Sequence, residues 1–283
     1  MYQVLKVKPY KLPKEYSKWE DFIDEMNFFC DKSKKTNYGK FSNEINPIVN
    51  NLSMEKIQST PVYCIRKQLL EEISLTDVCD KSGVLSDLKV AIPMITVFLP
   101  DGMVESPTNE VHATVKYVII QHKEINDKTY KSAIYWTAMD SYRQFSIGAR
   151  KIRHDGGYLR DNIVENVGIQ DKEEIERKFF KLQNLILQSL MLLQIYPELS
   201  EEMAFCEAHE SKGFAKINHE SLYRLPRWLG VKKIKRIYEN SGNHSGVPKS
   251  PHVRSGHWRL QPCGKQNKER KTIWVRPVWI NYA

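Results

Sequence analysis

The residues that could carry chemistry crowd into the last stretch of the chain. In SPHVRSGHWRLQPCGKQNKERKTIWVRPVWIN, residues 250–281, three of the six tryptophans lie among histidines and arginines. Arginine forks hold phosphate in bidentate fashion and aromatic rings stack on unpaired bases, the combination that single-stranded nucleic acid requires. Strand alternation in GHWRLQ places His257, Arg259 and Gln261 on one face and Trp258 and Leu260 on the other. CGKQNKERK then reads as a flexible basic turn, and TIWVRPVWI as a returning strand on which Trp274 and Arg276 share a face. The hairpin and its approach nominate Arg254, His257, Trp258, Arg259, Lys265, Lys268, Arg270, Lys271, Trp274 and Arg276 as RNA contacts. The other reading of Trp258, Trp274 and Trp279 is the core of a small domain poor in aliphatic residues.

Two further chemistries have candidates in the same stretch. His252 and His257 would serve as general acid and base on an RNA 2′-hydroxyl, with Arg254 or Arg259 stabilising the pentacoordinate phosphate, because imidazole titrates near neutral pH. That ribonuclease reading is the runner-up to binding. His244, His252, His257 and Cys263 could gather zinc, but their spacing matches no common zinc-finger pattern, and Cys206 with His209 offers less. Neither GxGxxG after a strand nor GxxxxGKS/T occurs, so no dinucleotide or P-loop site is expected. We expect no metal and no cofactor.

Charge isolates the same region. Residues 220–283 hold 14 Lys and Arg against 3 Asp and Glu, a net of +11, whereas the whole chain is +9, leaving −2 for residues 1–219. A local field of that sign is an electrostatic footprint for phosphate, while the remainder has an ordinary surface. Strong basicity also disfavours a direct inhibitor that plugs a nuclease's basic channel, since that task wants an acidic mimic.

Elements that must position these residues follow from periodicity. Apolar Trp19, Phe22, Ile23, Met26 and Phe29 repeat at helical spacing over 15–30, and IQSTPVYCIRKQLLEEI, 57–73, reads as a second helix opening near Thr60 and Pro61. VAIPMITVFLP, VHATVKYVIIQH and KSAIYWTAM read as strands of an antiparallel meander, the last two joined by a turn holding Asn126 and Asp127. SIGARKIRHDGGYLRDN reads as a mobile Gly-containing connection, and 171–196 as the strongest helix, acidic at its start, apolar all round its axis, and stopped by Pro197. A short helix is expected over 200–210, a basic amphipathic segment over 221–239, and a linker over 239–252. The fold class is therefore α+β: an antiparallel sheet packed by helices, residues 1–220, followed by a small basic β-rich C-terminal domain, residues 221–283.

Composition bounds the setting. At 283 residues with 41% hydrophobic and 27% charged residues, the chain can bury a substantial core. Five scattered cysteines without a CxxC pair suit a reducing compartment, and the longest apolar run, 185–195, is interrupted by Gln188, Ser189 and Gln194. A cytoplasmic protein with no export signal and no membrane partner is expected.

The string PHVRSGHWR, followed by a Gly/Lys turn and KTIWVRPVWIN, resembles the C-terminal signature of an anti-CRISPR family directed against the type V-A CRISPR nuclease. RWLG at 227–230, the long helix ending IYPEL, and VKYVIIQHKEINDKTYKSAIYW are similar too. The resemblance implies that Pro251, His252, Arg254, Gly256, His257 and Trp258 form the motif's core, with Trp274, Pro277 and Asn281 in the closing strand. Where the family often has paired arginines before the Gly and an aromatic pair after HW, this chain has Arg254-Ser255 and Arg259-Leu260. It further implies a phage- or plasmid-borne host-defence inhibitor that lowers production of its target during translation, with loss of the target's messenger RNA. The expected partners are RNA or the ribosome and a nascent or mature client protein, for which the resemblance points to a CRISPR nuclease.

Overall fold

Alternating apolar runs and turn residues build a sheet with helices on both faces. The computed structural model describes residues 12–35, 52–78, 83–90, 92–108, 112–125, 128–161, 172–203, 226–231, 237–239 and 250–281. Helices are α1 (Trp19–Lys35), α2 (Met54–Gln58), α3 (Lys67–Ser74) and α4 (Lys172–Ile195). The strands are β1 (Val62–Ile65), β2 (Thr76–Asp77), β3 (Met94–Phe98), β4 (Val115–Glu124), β5 (Tyr130–Asp140), β6 (Phe145–Arg153), β7 (Tyr158–Asp161), β8 (Ser200–Glu202), β9 (Arg227–Leu229), β10 (Ile237–Glu239), β11 (His252–Arg254), β12 (Gly256–Cys263), β13 (Glu269–Val275) and β14 (Val278–Ile280).

An eight-stranded sheet runs in the order β7-β6-β5-β4-β3-β1-β9-β8. From β3 to β5 it is the antiparallel meander expected from the turn chemistry, continued by β6 and β7, with Ile120 facing Trp136 and Trp136 facing Gly148. Beyond β3 it changes character, because β1 pairs in parallel with both β3 and β9. Two small sheets, β10-β14-β11 and β13-β12-β2, complete the α+β fold.

Three expectations fail here, each for a physical reason. Residues 57–73 are not one helix: Ile57 ends up in α2, Val62–Ile65 is a strand, and only Lys67–Ser74 is helical. The short apolar run VYCI is buried at every position in the middle of a sheet, and such a run has no period to separate it from a helix. The supposed connection over 146–162 is instead the β6–β7 hairpin. Its Gly148 serves close packing rather than mobility, since a Cβ there would stand 2.0 Å from Trp136 Cζ2. Ser200–Glu202, expected to open a helix, pairs antiparallel with β9, and the rest of 200–210 lies outside the described residues.

Two apolar layers flank the large sheet. On one face α1 and α2 press Trp19, Phe22, Met26, Phe29 and Ile57 against Cys64, Phe98, Tyr117, Ile119 and Tyr135. Within that layer the buried Glu25 carboxylate takes hydrogen bonds from Lys116 Nζ at 2.6 Å and the Tyr117 hydroxyl at 2.8 Å, which satisfies its charge. On the other face α3 and α4 cover Ile65, Ile95, Val97, Val118, Ile120, Trp136 and Ile152. Helix α4 is buried at every position from Leu182 to Leu192, so it has cover on both sides. No helix among the described residues is long and apolar enough to cross a membrane.

Candidate nucleic-acid interface

The β12–β13 hairpin has two chemically opposite faces, and pairing explains why. Across the ladder Trp258 opposes Trp274 and Leu260 opposes Thr272, while His257 opposes Val275, Arg259 opposes Ile273, and Gln261 opposes Lys271. Because side chains alternate, the first set points one way and the second the other.

The inner face docks on the body. Gly256 begins β12 by pairing in parallel with Thr76, its N–H donating to the Leu75 carbonyl at 2.9 Å. A Cβ at residue 256 would sit 2.5 Å from Thr76 Oγ1 and 2.8 Å from the Val275 carbonyl oxygen, so only glycine allows this approach. Trp258 is 2% exposed, stacks on Trp274 with centroids 6.0 Å apart, and aims Nε1 at Gln188 Oε1 on α4 at 3.4 Å. The Gln188 amide donates in turn to the carbonyls of Ile73 and Thr76, tying α3, β2 and the hairpin to one side chain. Trp274 donates from Nε1 to Thr76 Oγ1 at 3.2 Å and from its backbone N–H to the Tyr196 hydroxyl at 3.1 Å. Thr272 donates to Asp87 at 3.0 Å.

Arg276 completes the dock. Its Nε and Nη2 meet Glu72 Oε2 and Oε1 at 2.7 and 2.5 Å, a bidentate pair in which Glu72 is 2% exposed. A carboxylate that deeply buried needs such a partner. Trp258, Trp274 and Arg276, expected to meet RNA, all bond to the body; the Trp258 ring at 2% exposure leaves no face for a base, while Trp274 and Arg276 are part-buried. The alternative weighed for the tryptophans, burial in a core, describes Trp258 and Trp279, which is 7% exposed. The core in question for Trp258 is the body's own, for it packs in the same cluster as α3 and α4.

The remaining candidates lie outward. His257, Arg259 and Lys271 are exposed on the outer face, and Lys265, Lys268 and Arg270 are exposed at or beside the turn. Among the described residues Arg259, Lys265, Lys268 and Lys271 make no ion pair, whereas Arg270 Nη1 donates to the Asn267 and Glu269 carbonyls. The turn is held by Gln266 and Asn267 in the left-handed region, φ 58° and 56°. Arg254 lies apart, on β11, with its Nη1 3.5 Å from Glu239 of β10.

Among the described residues neither alternative chemistry is assembled. His252 and His257 stand in different sheets, β11 and β12, with His252 Nδ1 3.0 Å from the Ser250 carbonyl. No group of three or more His, Cys, Asp or Glu among the described residues is placed to hold a metal; His244, Cys206 and His209 lie outside them. Sequence reasoning missed Glu72, Thr76 and Gln188, the body's half of the dock. An acidic or amide residue in an amphipathic helix carries no local mark of a partner 70 to 204 positions away.

No curated protein and no solved structure matches the chain. The family model described as AcrVA2-like matches residues 63–282, from the central parallel strand β1 to just past β14, and the chain belongs to this anti-CRISPR type V subtype A2 family.

Proposed function

We infer from membership of this family that the chain is an anti-CRISPR protein. We propose that it acts as an adaptor that lowers production of a type V-A CRISPR nuclease at the level of translation. The division of labour is between residues 1–220, which read the client polypeptide as a nascent or mature chain, and residues 221–283, which hold RNA or the ribosome. The observation that carries the second half is the outward set of Arg259, Lys265, Lys268 and Lys271, four exposed cations with no carboxylate partner among the described residues. Cations neutralised within the protein cannot release counterions from a nucleic acid; unpaired ones can. For the first half, Phe28 and Tyr142, 60% and 56% exposed, are large rings at the surface of the body.

Truncation before β11 would be a poor test, because it strips Trp258 from the core. The better one replaces Arg259, Lys265, Lys268 and Lys271 together by Gln, whose exposed positions leave the fold intact. Binding of wild type and variant to purified ribosomes and to RNA is followed from 50 to 200 mM KCl. With about four phosphates neutralised, the slope of log K against log salt is roughly −3 to −4, and affinity falls on the order of 50- to 150-fold over that range. The variant should lose most of that slope. Equal slopes with equal melting temperatures would remove the hairpin from the proposal. Loss of client capture by a Phe28→Ser, Tyr142→Ser double variant tests the body.

A further inference from the structure

We infer that the hairpin engages duplex RNA through its phosphate backbone rather than single-stranded RNA through its bases, an inference that rests on the RNA reading above. The outer face presents, in cross-strand order, His257 with Val275, Arg259 with Ile273, Gln261 with Lys271 and Cys263 with Glu269. Its only ring is the His257 imidazole; both indoles of the hairpin, Trp258 and Trp274, face the body and are held there by Gln188 and Thr76. Single-strand binders draw about 1–3 kcal/mol per base from stacking on aromatic side chains, and this face supplies no Trp, Tyr or Phe for it.

What it supplies is an array of cations, with one carboxylate, Glu269, beside the turn. From Arg259 to the turn beginning at Gly264 the ribbon extends about 16 Å at the usual strand rise, with Lys271 on the adjacent strand and Lys265 and Lys268 at the tip. The array is stiff because its other face is anchored by Trp258, Trp274, Thr272 and the Arg276–Glu72 pair. A rigid cation array suits a rigid phosphate array. A duplex offers about twice the phosphate density of one strand along its axis, and A-form helices are recognised by backbone and shape rather than sequence. A flexible single strand would have to be ordered on this face with no stacking to offset the cost.

The test is fluorescence anisotropy of the full-length protein at 100 mM KCl with two labelled RNAs of equal nucleotide number, a 20-base-pair hairpin and an unstructured oligouridylate. The duplex is expected to bind at least about tenfold more tightly, to vary less than about threefold when its base pairs are permuted, and to lose its advantage in the four-Gln variant. Tighter binding of the oligouridylate, or a strong dependence on base sequence, overturns the duplex inference while leaving the RNA reading in place. Binding of neither RNA, with ribosomes also ignored, overturns both. Tyr238 on β10, 57% exposed, is the ring a single strand would use instead. Tyr238→Ala should leave duplex affinity within about twofold, and a tenfold loss would move recognition to the other small sheet and sink the inference.

Discussion

Trp258→Ala separates a docked hairpin from a stacking platform, because the two predict opposite observables. The indole is 2% exposed, stacked on Trp274 and bonded to Gln188, so truncation removes a large buried ring from the α3–α4 layer and leaves Gln188 Oε1 without its donor. Large-to-small changes of buried aromatic residues cost about 3–5 kcal/mol. For a chain of this size that corresponds to a fall in melting temperature on the order of 10 °C. Urea denaturation followed by tryptophan fluorescence and by circular dichroism reads the loss directly. Trp258→Phe, which keeps most of the volume but not the N–H, should lose a smaller amount and serves as the folded comparator. At temperatures where Trp258→Phe is fully folded, its RNA affinity should equal that of wild type. The reasoning fails if Trp258→Ala denatures at the wild-type urea concentration while RNA binding weakens by 1–3 kcal/mol, the signature of an exposed stacking ring.

Three other outcomes follow from the same geometry. Glu72→Gln and Arg276→Met should each destabilise by about 2–3 kcal/mol, and a double-mutant cycle should return a coupling above about 1 kcal/mol, since removing either partner leaves a charge at a largely buried site; additive single effects would mean the pair is incidental. Gly148→Ala should destabilise by about 2 kcal/mol or more in thermal melts, because the new Cβ overlaps the Trp136 ring; a neutral result would show that the β5–β6 pair relaxes freely. His122, 3% exposed with Nε2 unbonded, has its pKa pushed down from 6.5 to about 4, first by burial and then by the Lys131 ammonium, near which Asp87 also lies. A folded pKa below the unfolded one means that stability is full above pH 6.5 and is lost as pH falls toward 4. Between pH 7 and pH 5 the loss from this group is about 2 kcal/mol, and His122→Gln should flatten that part of the pH–stability curve; an unchanged curve would assign the acid sensitivity elsewhere.

The sequence was legible wherever a segment's own pattern decided its structure. The β4–β5 hairpin, the helix closed by Pro197 and the alternation in GHWRLQ all follow from period and turn chemistry, and all are present. It was illegible where a partner distant in sequence decides. Val62–Ile65 is a strand because β3 and β9 flank it, and β9 begins some 160 positions later. Gly148 signalled flexibility in isolation, whereas its role is set by Trp136 on the neighbouring strand. For the candidate interface, composition marked the basic stretch but could not say which aromatic or arginine residues face inward. Trp274 and Arg276 were placed on one face, and both are part-buried against the body.

One signal in the sequence did imply the docked hairpin. Residues 182–192 of α4 are apolar or uncharged polar around the whole helix circumference, and a helix of that kind is stable only with cover on every side. The eight-stranded sheet and α3 cover part of the circumference; Trp258, Leu260 and Trp274 lie in the same apolar cluster and supply further cover. Gln188, the polar residue that looked like an interruption of the longest apolar run, is the one that receives the Trp258 N–H. Trp258 and Trp274 of the basic stretch and the all-round burial of α4 are thus two halves of one packing requirement. Meeting it orients the hairpin, and alternation then turns Arg259 and Lys271 to solvent, with Lys265 and Lys268 exposed at the tip. The outward display of these cations is thus a consequence of how the hydrophobic residues of this end of the chain complete the core.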